Sequence, residues 1–120
     1  MYDCAAGFRG VPAMTDRERL PNRRLSVNHE FVRDGSSYRM TIGFYPDGRV
    51  GEIFLNADRT DSLLDVLVND AAILTSLCLQ YGVPITVISH ALKRDKFGVA
   101  SSPIGAALDR IAPPQEVKRS

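Results

Sequence analysis

The stretch "GFYPDGRVGEIFLNA" (43–57) predicts a strand, a tight turn and a second strand. Pro46 fixes a backbone φ that suits a turn, Asp47 can accept hydrogen bonds from its own backbone, and Gly48 supplies a left-handed conformation. After the turn, the period of two of a strand places Ile53 and Leu55 on one face and Phe54 on the other. This stretch therefore predicts an antiparallel hairpin at the centre of the fold.

The preceding segment shows the same period of two, with Val27, His29 and Phe31 on one strand face. The Asp34-Gly35 pair that follows is a strong signal for a second hairpin. The next strand has an apolar face, formed by Tyr38, Met40, Ile42 and Phe44, and a polar face, formed by Arg39 and Thr41. Together these segments predict a three-stranded antiparallel β-meander with one dry face and one wetter face.

The segment that follows the meander, "TDSLLDVLVNDAAILTSLCLQYG" (60–82), predicts a long helix. Thr60, Asp61 or Ser62 can serve as its N-cap, and Gly82 is placed to end it. Its apolar residues cover most of the circumference and leave only a narrow polar stripe: Asp65, Asn69, Ser76 and Gln80. We therefore expect a central helix over 61–81, with the sheet on one side and other helices on the next.

Burial on this helix is predicted from the same pattern. Four of its apolar residues are expected to be almost fully buried: Leu67, Ala71, Leu74 and Leu77. Cys78 lies among leucines, where a thiol behaves as a small buried hydrophobic group.

Two shorter helices complete the predicted fold. One follows Pro84, and the other begins at Ser102, whose hydroxyl suits an N-cap, with Pro103 at its first position and Pro113-Pro114 beyond its end. The fold class is therefore α+β, a three-stranded antiparallel β-meander packed on a long central helix plus two short helices.

Composition limits the function classes. The 120 residues fit one domain, and a net charge of +1 gives no global field for nucleic acid or membranes. Cys4 and Cys78 form neither a CxxC motif nor a metal-ligand spacing, which favours a reducing compartment. No apolar run reaches membrane-spanning length, and no basic region precedes an apolar stretch at the N-terminus. We expect a cytoplasmic protein that does not contact membranes.

Catalytic motifs are missing from the sequence, and His29 and His90 are isolated, which favours structural roles for both. Arginines concentrate near the N-terminus, where a solvated tail and an arm that binds nucleic acid or a partner are both open interpretations. These arginines are Arg17, Arg19, Arg23 and Arg24, with Arg9 nearby.

A second candidate surface surrounds the quoted turn. Arg49 can form a local ion pair with Glu52 or with a helix acid. Alternatively, Arg49 and Glu52 join Arg39 and the 17–24 arginines in a docking surface for a nucleotide or a larger partner.

Four stretches in one order, "RRLSVNHEF", "YRMTIGFYPDGRVGEIFLNA", "LQYGVPI" and "SPIGAAL", carry a family resemblance. They resemble the C-terminal accessory region of adenosylcobalamin-dependent (class II) ribonucleotide reductases, the TSCPD domain family. The resemblance covers about residues 20 to 111. The matching residues are Gly43, Tyr45, Asp47 to Arg49, Gly51 to Phe54 and Leu79 to Pro84. Interrupting glycines and prolines predict a flexible arginine-rich segment (1–24), and a loose C-terminal tail is expected at 113–120. The resemblance makes the part between them a TSCPD-like α+β domain (25–112).

The chain departs from the family in two respects. At the Thr-Ser-Cys-Pro-Asp signature it has Ala100-Ser101-Ser102-Pro103-Ile104, so the thiolate and carboxylate of a metal site are replaced and we expect no metal. A reductase also needs a large barrel with a radical-forming cysteine, a reducing cysteine pair and a cobalamin site, which 120 residues cannot hold.

The resemblance therefore implies a free-standing, non-catalytic accessory or regulatory domain for deoxyribonucleotide synthesis, and through it DNA replication, with no cofactor in this chain. Its expected partner is a ribonucleotide reductase catalytic chain or a nucleotide. Whether the chain also forms a homo-oligomer is left open by the resemblance. The alternative is a small nucleic-acid-binding protein that uses the N-terminal arginines and the polar sheet face. An unrecognised enzyme or an unrelated interaction role are further alternatives.

Overall fold

The computed structural model describes residues 16–112. Its elements are β1 (Ser26–Arg33), β2 (Ser36–Phe44), β3 (Val50–Ala57), α1 (Leu63–Gln80), α2 (Ile85–Ala91) and α3 (Pro103–Ile111). The strands form one antiparallel sheet in the order β1-β2-β3, and the helices pack on one of its faces. The predicted α+β fold is confirmed, whereas residues 1–15 and the tail at 113–120 lie outside the described part.

Turn residues set the sheet register. Asp34 and Gly35 both have positive φ (52° and 81°) in the β1–β2 turn, the conformation in which Asp-Gly pairs are favoured. Gly48 adopts φ 95° in the β2–β3 turn, where Pro46 and Asp47 precede it. Both predicted hairpins are therefore present, in a register that pairs core residues directly across the strands.

Capping groups define the two ends of α1. Of the three candidates, Ser62 is the N-cap, and its hydroxyl accepts a hydrogen bond from the Asp65 amide at 3.1 Å. At the other end the Val83 amide donates to the Cys78 carbonyl at 3.0 Å while Gly82 adopts φ 97°. This Schellman arrangement ends the helix at the predicted glycine.

The core lies between the sheet and the helices α1 and α3. Ile53, Leu55 and Met40 are at most 1% exposed, and Leu108 of α3 is fully buried. Ser102 caps α3 by accepting a hydrogen bond from the Gly105 amide at 3.1 Å, as its position before Pro103 predicted. The other core residues are Phe31, Tyr38, Ile42, Ala57, Val68, Ala72, Leu79, Ile104 and Ala107.

Candidate interaction surface

Residues 16–25, which we call the N-terminal strap, cross the end of the sheet and reach the end of α1. The Glu18 amide donates to the Gln80 carbonyl at 2.8 Å, and the Phe44 amide donates to the Leu25 carbonyl at 3.0 Å. Gly51 makes room for the strap, because a Cβ there would lie 2.6 Å from the Tyr45 ring and 3.0 Å from Leu20. The flexibility expected for residues 1–24 stays a prediction.

Two of the predicted arginines hold this strap to the domain. Arg17 Nε donates to Gln80 Oε1 at 2.6 Å, and Arg24 Nε lies 2.6 Å from Glu52 Oε2. Glu52 lies over Gly43, where a Cβ would come within 2.5 Å of its carboxylate. Glu52 therefore pairs with Arg24, and the predicted pairing of Arg49 with Glu52 is wrong.

Arg49 instead joins the turn to the strap. Its guanidinium contacts Asp47 at 2.7 Å and both carboxylate oxygens of Glu18 at 2.9 and 3.1 Å, and it stacks over the Tyr45 ring at 4.4 Å. Hydrogen bonds from Arg49 hold the pKa of Asp47 below its ordinary value, and those to Glu18 and Asp47 raise the pKa of Arg49. Burial and the nearby Glu18 charge raise the pKa of Tyr45.

The remaining predicted residues, Arg19, Arg23 and Arg39, have exposed side chains. Arg39 lies on the sheet face away from the helices, which we call the open face. In the strand register it is flanked by Glu30 of β1 and Asn56 of β3. The structure therefore separates the predicted binding residues into strap contacts and exposed groups. The open face includes Asn28, Glu30, Val32, Ser37, Arg39, Thr41, Phe54 and Asn56.

The polar stripe of α1 faces the sheet rather than solvent. Asp65 Oδ1 accepts from the Ala57 amide at 2.8 Å, and Ser76 Oγ accepts from the Ile53 amide at 2.8 Å and donates to the Ile53 carbonyl at 3.0 Å. Gln80 Nε2 donates to the Gly51 carbonyl at 2.9 Å. These side chains bond the backbone of the edge strand β3, whose outer groups have no further strand to pair with.

Hydrogen bonds also explain the electrostatics of this stripe. The Asp61 and Ala57 amides both donate to the Asp65 carboxylate, and they hold its pKa below the ordinary value. Asp65 is 6% exposed, so its charge sits at a buried junction between α1 and β3.

The opposite side of α1 is apolar and exposed, and the predicted burial there is wrong. Leu67 and Leu74 are 56% and 63% exposed, Cys78 is exposed, and Ala71 and Leu77 are only partly buried. We call this surface the outer face of α1. The sequence prediction missed it as a site. It comprises Leu63, Val66, Leu67, Asp70, Ile73, Leu74, Leu77, Cys78 and Tyr81.

By length and composition alone, α1 is apolar enough to cross a membrane. The same properties characterise helices that pack inside soluble proteins. Here the bonds from Asp65, Ser76 and Gln80 to β3 fix one side of the helix against the sheet.

A polar cluster joins α2, the following loop and α3. Arg94 contacts both carboxylate oxygens of Asp109 at 2.7 and 2.8 Å, and the hydroxyl of buried Ser89 donates to Asp109 at 3.0 Å. The Arg94 hydrogen bonds lower the pKa of Asp109, and the pKa of Arg94 is raised in return. Because these groups satisfy one another, the cluster anchors α2 and the loop to α3.

The residues at the signature position do not fit a metal. Ser102 Oγ is engaged in capping α3, and Ile104 is a buried core residue. Within residues 16–112, no three His, Cys, Asp or Glu side chains come together as a ligand set.

These features define a small α+β domain with an apolar helical surface and a polar open sheet. The TSCPD domain model matches residues 12–112, and the chain belongs to this family.

The chain is similar to vitamin B12-dependent ribonucleotide reductases. It is 36% identical to the one from Rhodopirellula baltica over 81 residues, which cover 68% of this chain and 8% of the reductase. It is 40% identical to the one from Bradyrhizobium diazoefficiens over 87 residues, which cover 72% of this chain and 7% of the reductase. The chain thus spans less than a tenth of these two relatives' length. No solved structure matches it.

Proposed function

We propose that this chain is a non-catalytic accessory domain for ribonucleotide reduction, which acts by binding the catalytic chain of a B12-dependent reductase. The similarity to a short region of such reductases supports this role. So does the outer face of α1, because monomeric soluble proteins rarely expose a contiguous apolar surface that spans a whole helix. In this proposal the chain acts in the cytoplasm, supplies no cofactor and contributes to deoxyribonucleotide supply for DNA replication.

The observation that carries the proposal is the contrast in exposure along α1. Val68 and Ala72 are at most 4% exposed on the sheet side, whereas Leu63 and Leu74 are 75% and 63% exposed on the other. A partner that fully buries one of these leucines gains about 1.5–3 kcal/mol of hydrophobic free energy for that side chain. A protein interface offers that burial.

The direct test is complex formation with the purified B12-dependent reductase catalytic chain of the same host. Sedimentation velocity should show a complex, and reductase turnover should change when the chain is added while the chain alone shows none. A mixture that sediments as two separate species at tens of micromolar, with turnover unaffected, would contradict the proposal.

A second candidate function, nucleotide or nucleic-acid binding, is supported by the open face. Phe54 is 48% exposed on the edge strand; it pairs with Thr41, and Arg39 is the next residue of β2 on the same face. An exposed aromatic ring beside a cation can stack a base and contact a phosphate.

The strap arginines weaken this candidate, because Arg17 and Arg24 bond within the domain. It predicts that single-stranded nucleic acid binds with an affinity that falls steeply with salt, and that Phe54→Ala and Arg39→Ala each weaken binding. Salt-independent or absent binding would remove it. Val87→Ala, at an apolar residue that is 55% exposed on α2 and away from the sheet, is the matched control.

A further inference from the structure

The outer face of α1 has the spacing of a helix-packing seam. Positions 63, 67, 70, 74, 77 and 81 are separated alternately by four and three residues, which is the interval that packed helices use. Five of these six positions are apolar: Leu63, Leu67, Leu74, Leu77 and Tyr81. The seam therefore matches the apolar stripe of another helix.

The sixth position is Asp70, an exposed acid near the middle of the seam. Residues Leu63–Gln80 include no Lys, Arg or His, and the other acid, Asp65, is bonded to β3. A carboxylate covered by an apolar surface is costly unless a cation pairs with it. The partner of this face must therefore bring a positive charge to Asp70.

A second copy that packs through its own α1 does not meet this requirement. Two α1 helices packed in parallel place the two Asp70 side chains opposite each other, and packed antiparallel about the seam centre they place Asp70 opposite Leu74. Either arrangement covers both carboxylates without a cation from α1.

A membrane surface fits no better. Helices that lie in the membrane interface carry Lys and Arg on their polar side, and α1 has neither. Its polar side is also bonded to β3 through Asp65, Ser76 and Gln80.

We propose that the outer face of α1 binds an amphipathic helix of a different protein, and that this helix carries one Lys or Arg opposite Asp70. The inference rests on the proposed function in one respect, since the reductase catalytic chain is the expected source of the helix. The charge pair fixes the register, and the leucine positions supply the apolar contact.

Two synthetic amphipathic peptides, identical except for a central Lys or Glu, test the chemistry directly. Each has about 18 residues, to match α1, and leucines at alternating three- and four-residue intervals. Fluorescence anisotropy should show that the Lys peptide binds the wild-type chain at least about tenfold more tightly, a difference of about 1.4 kcal/mol. With Asp70→Lys the preference should reverse to the Glu peptide.

Equal binding of both peptides, or binding of neither, overturns the inference. Leu74→Lys should abolish binding of the Lys peptide. Phe97→Ser is the matched control, because Phe97 is apolar and 79% exposed in the loop before α3. Sedimentation equilibrium should show a monomer, and a dimer that Leu74→Lys dissociates would also overturn the inference.

The same variants separate this inference from the proposed function. If the reductase binds the wild-type chain but not the double variant Asp70→Lys/Leu74→Lys, the proposed function and the helix partner both stand. If the reductase binds and only Arg39→Ala weakens it, the proposed function stands and the helix partner falls. If the reductase does not bind but the Lys peptide does with the expected reversal, the helix partner stands and the reductase role falls.

Discussion

The two sides of α1 differ in polarity: the buried side combines core residues such as Val68 and Ala72 with a polar stripe, whereas the exposed side is almost entirely apolar. The side with Asp65, Ser76 and Gln80 is packed against β3, and the side with Leu67 and Leu74 faces outward. The difference follows from the sheet edge, because the outer amides and carbonyls of β3 need hydrogen-bond partners where α1 covers them, and the polar side chains supply these. A polar stripe can therefore mark the buried side of a helix that packs on an edge strand.

The largest expected effect separates two leucines of the same helix. Leu79 is 9% exposed, so Leu79→Ala should lower the free energy of unfolding by about 2–5 kcal/mol. Leu74 is 63% exposed, so Leu74→Ala should change it by less than about 0.5 kcal/mol. Urea unfolding of both variants measures the difference, and equal losses would show that both sides of α1 are buried.

The polar side should be the next most sensitive. Gln80→Ala leaves the buried Gly51 carbonyl without its donor, and Ser76→Ala leaves the Ile53 amide without its acceptor. Each should cost about 1–3 kcal/mol by urea unfolding. Ser101→Ala, at an exposed serine, is the control and should cost nothing measurable. Stability unchanged by both variants would mean that solvent replaces these bonds.

Acid should weaken the same junction. Because folding lowers the pKa of Asp65, its contribution to stability is fully present above its ordinary value of about 3.9 and is lost as the pH falls through the depressed folded pKa. Asp65→Asn should be less stable than wild type at neutral pH, and the gap should close in strong acid.

Thermal unfolding from pH 7 down to about pH 2 measures this gap, over the range where an aspartate titrates. Asp70→Asn makes the same charge change on the outer face and is the control, with stability close to wild type at neutral pH. A gap of constant size at every pH would contradict the account of Asp65.

The smallest effect is expected at Arg49. Its partners Asp47 and Glu18 are more than half exposed, and such ion pairs add little to stability because water screens them. Arg49→Ala and Arg39→Ala should both leave the melting temperature nearly unchanged. A large drop for Arg49→Ala alone would show that its contacts to Glu18 and Tyr45 hold the strap in place.

The sheet could be predicted from the sequence because its determinants are local. Alternation with a period of two assigned Tyr38, Met40 and Ile42 to the core face, and the Asp34-Gly35 and Asp47-Gly48 turns set the strand order. The cap at Ser102 was equally local, whereas the sequence left three candidates for the N-cap of α1, of which the structure uses Ser62.

The orientation of α1 could not be predicted in the same way. Apolar residues cover most of its circumference, so periodicity alone does not say which side meets the sheet. The missing information was that β3 is an edge strand, whose outer amides and carbonyls lack a neighbouring strand to bond. The polar stripe from Asp65 to Gln80 could have indicated the side that meets the sheet. Its polar groups run the length of the helix alongside β3, whose backbone they bond.

The candidate arginines show a similar limit. Their charge is visible in the sequence, but their exposure and their partners depend on where the strap crosses the sheet. Arg24 meets Glu52 over Gly43, and Arg49 meets Glu18, at separations of 28 and 31 residues along the chain. No local pattern encodes such pairings.

The central claim is that the outer face of α1 is free of the domain core. Leu67→Lys combined with Leu74→Lys tests it most directly, because two charges cannot be tolerated inside a packed core. Urea unfolding should show a free energy of unfolding within about 1 kcal/mol of wild type, since each exposed substitution changes it by about 0.5 kcal/mol or less. A double variant that is unfolded, or that loses several kcal/mol, would place these leucines in the core and contradict the account.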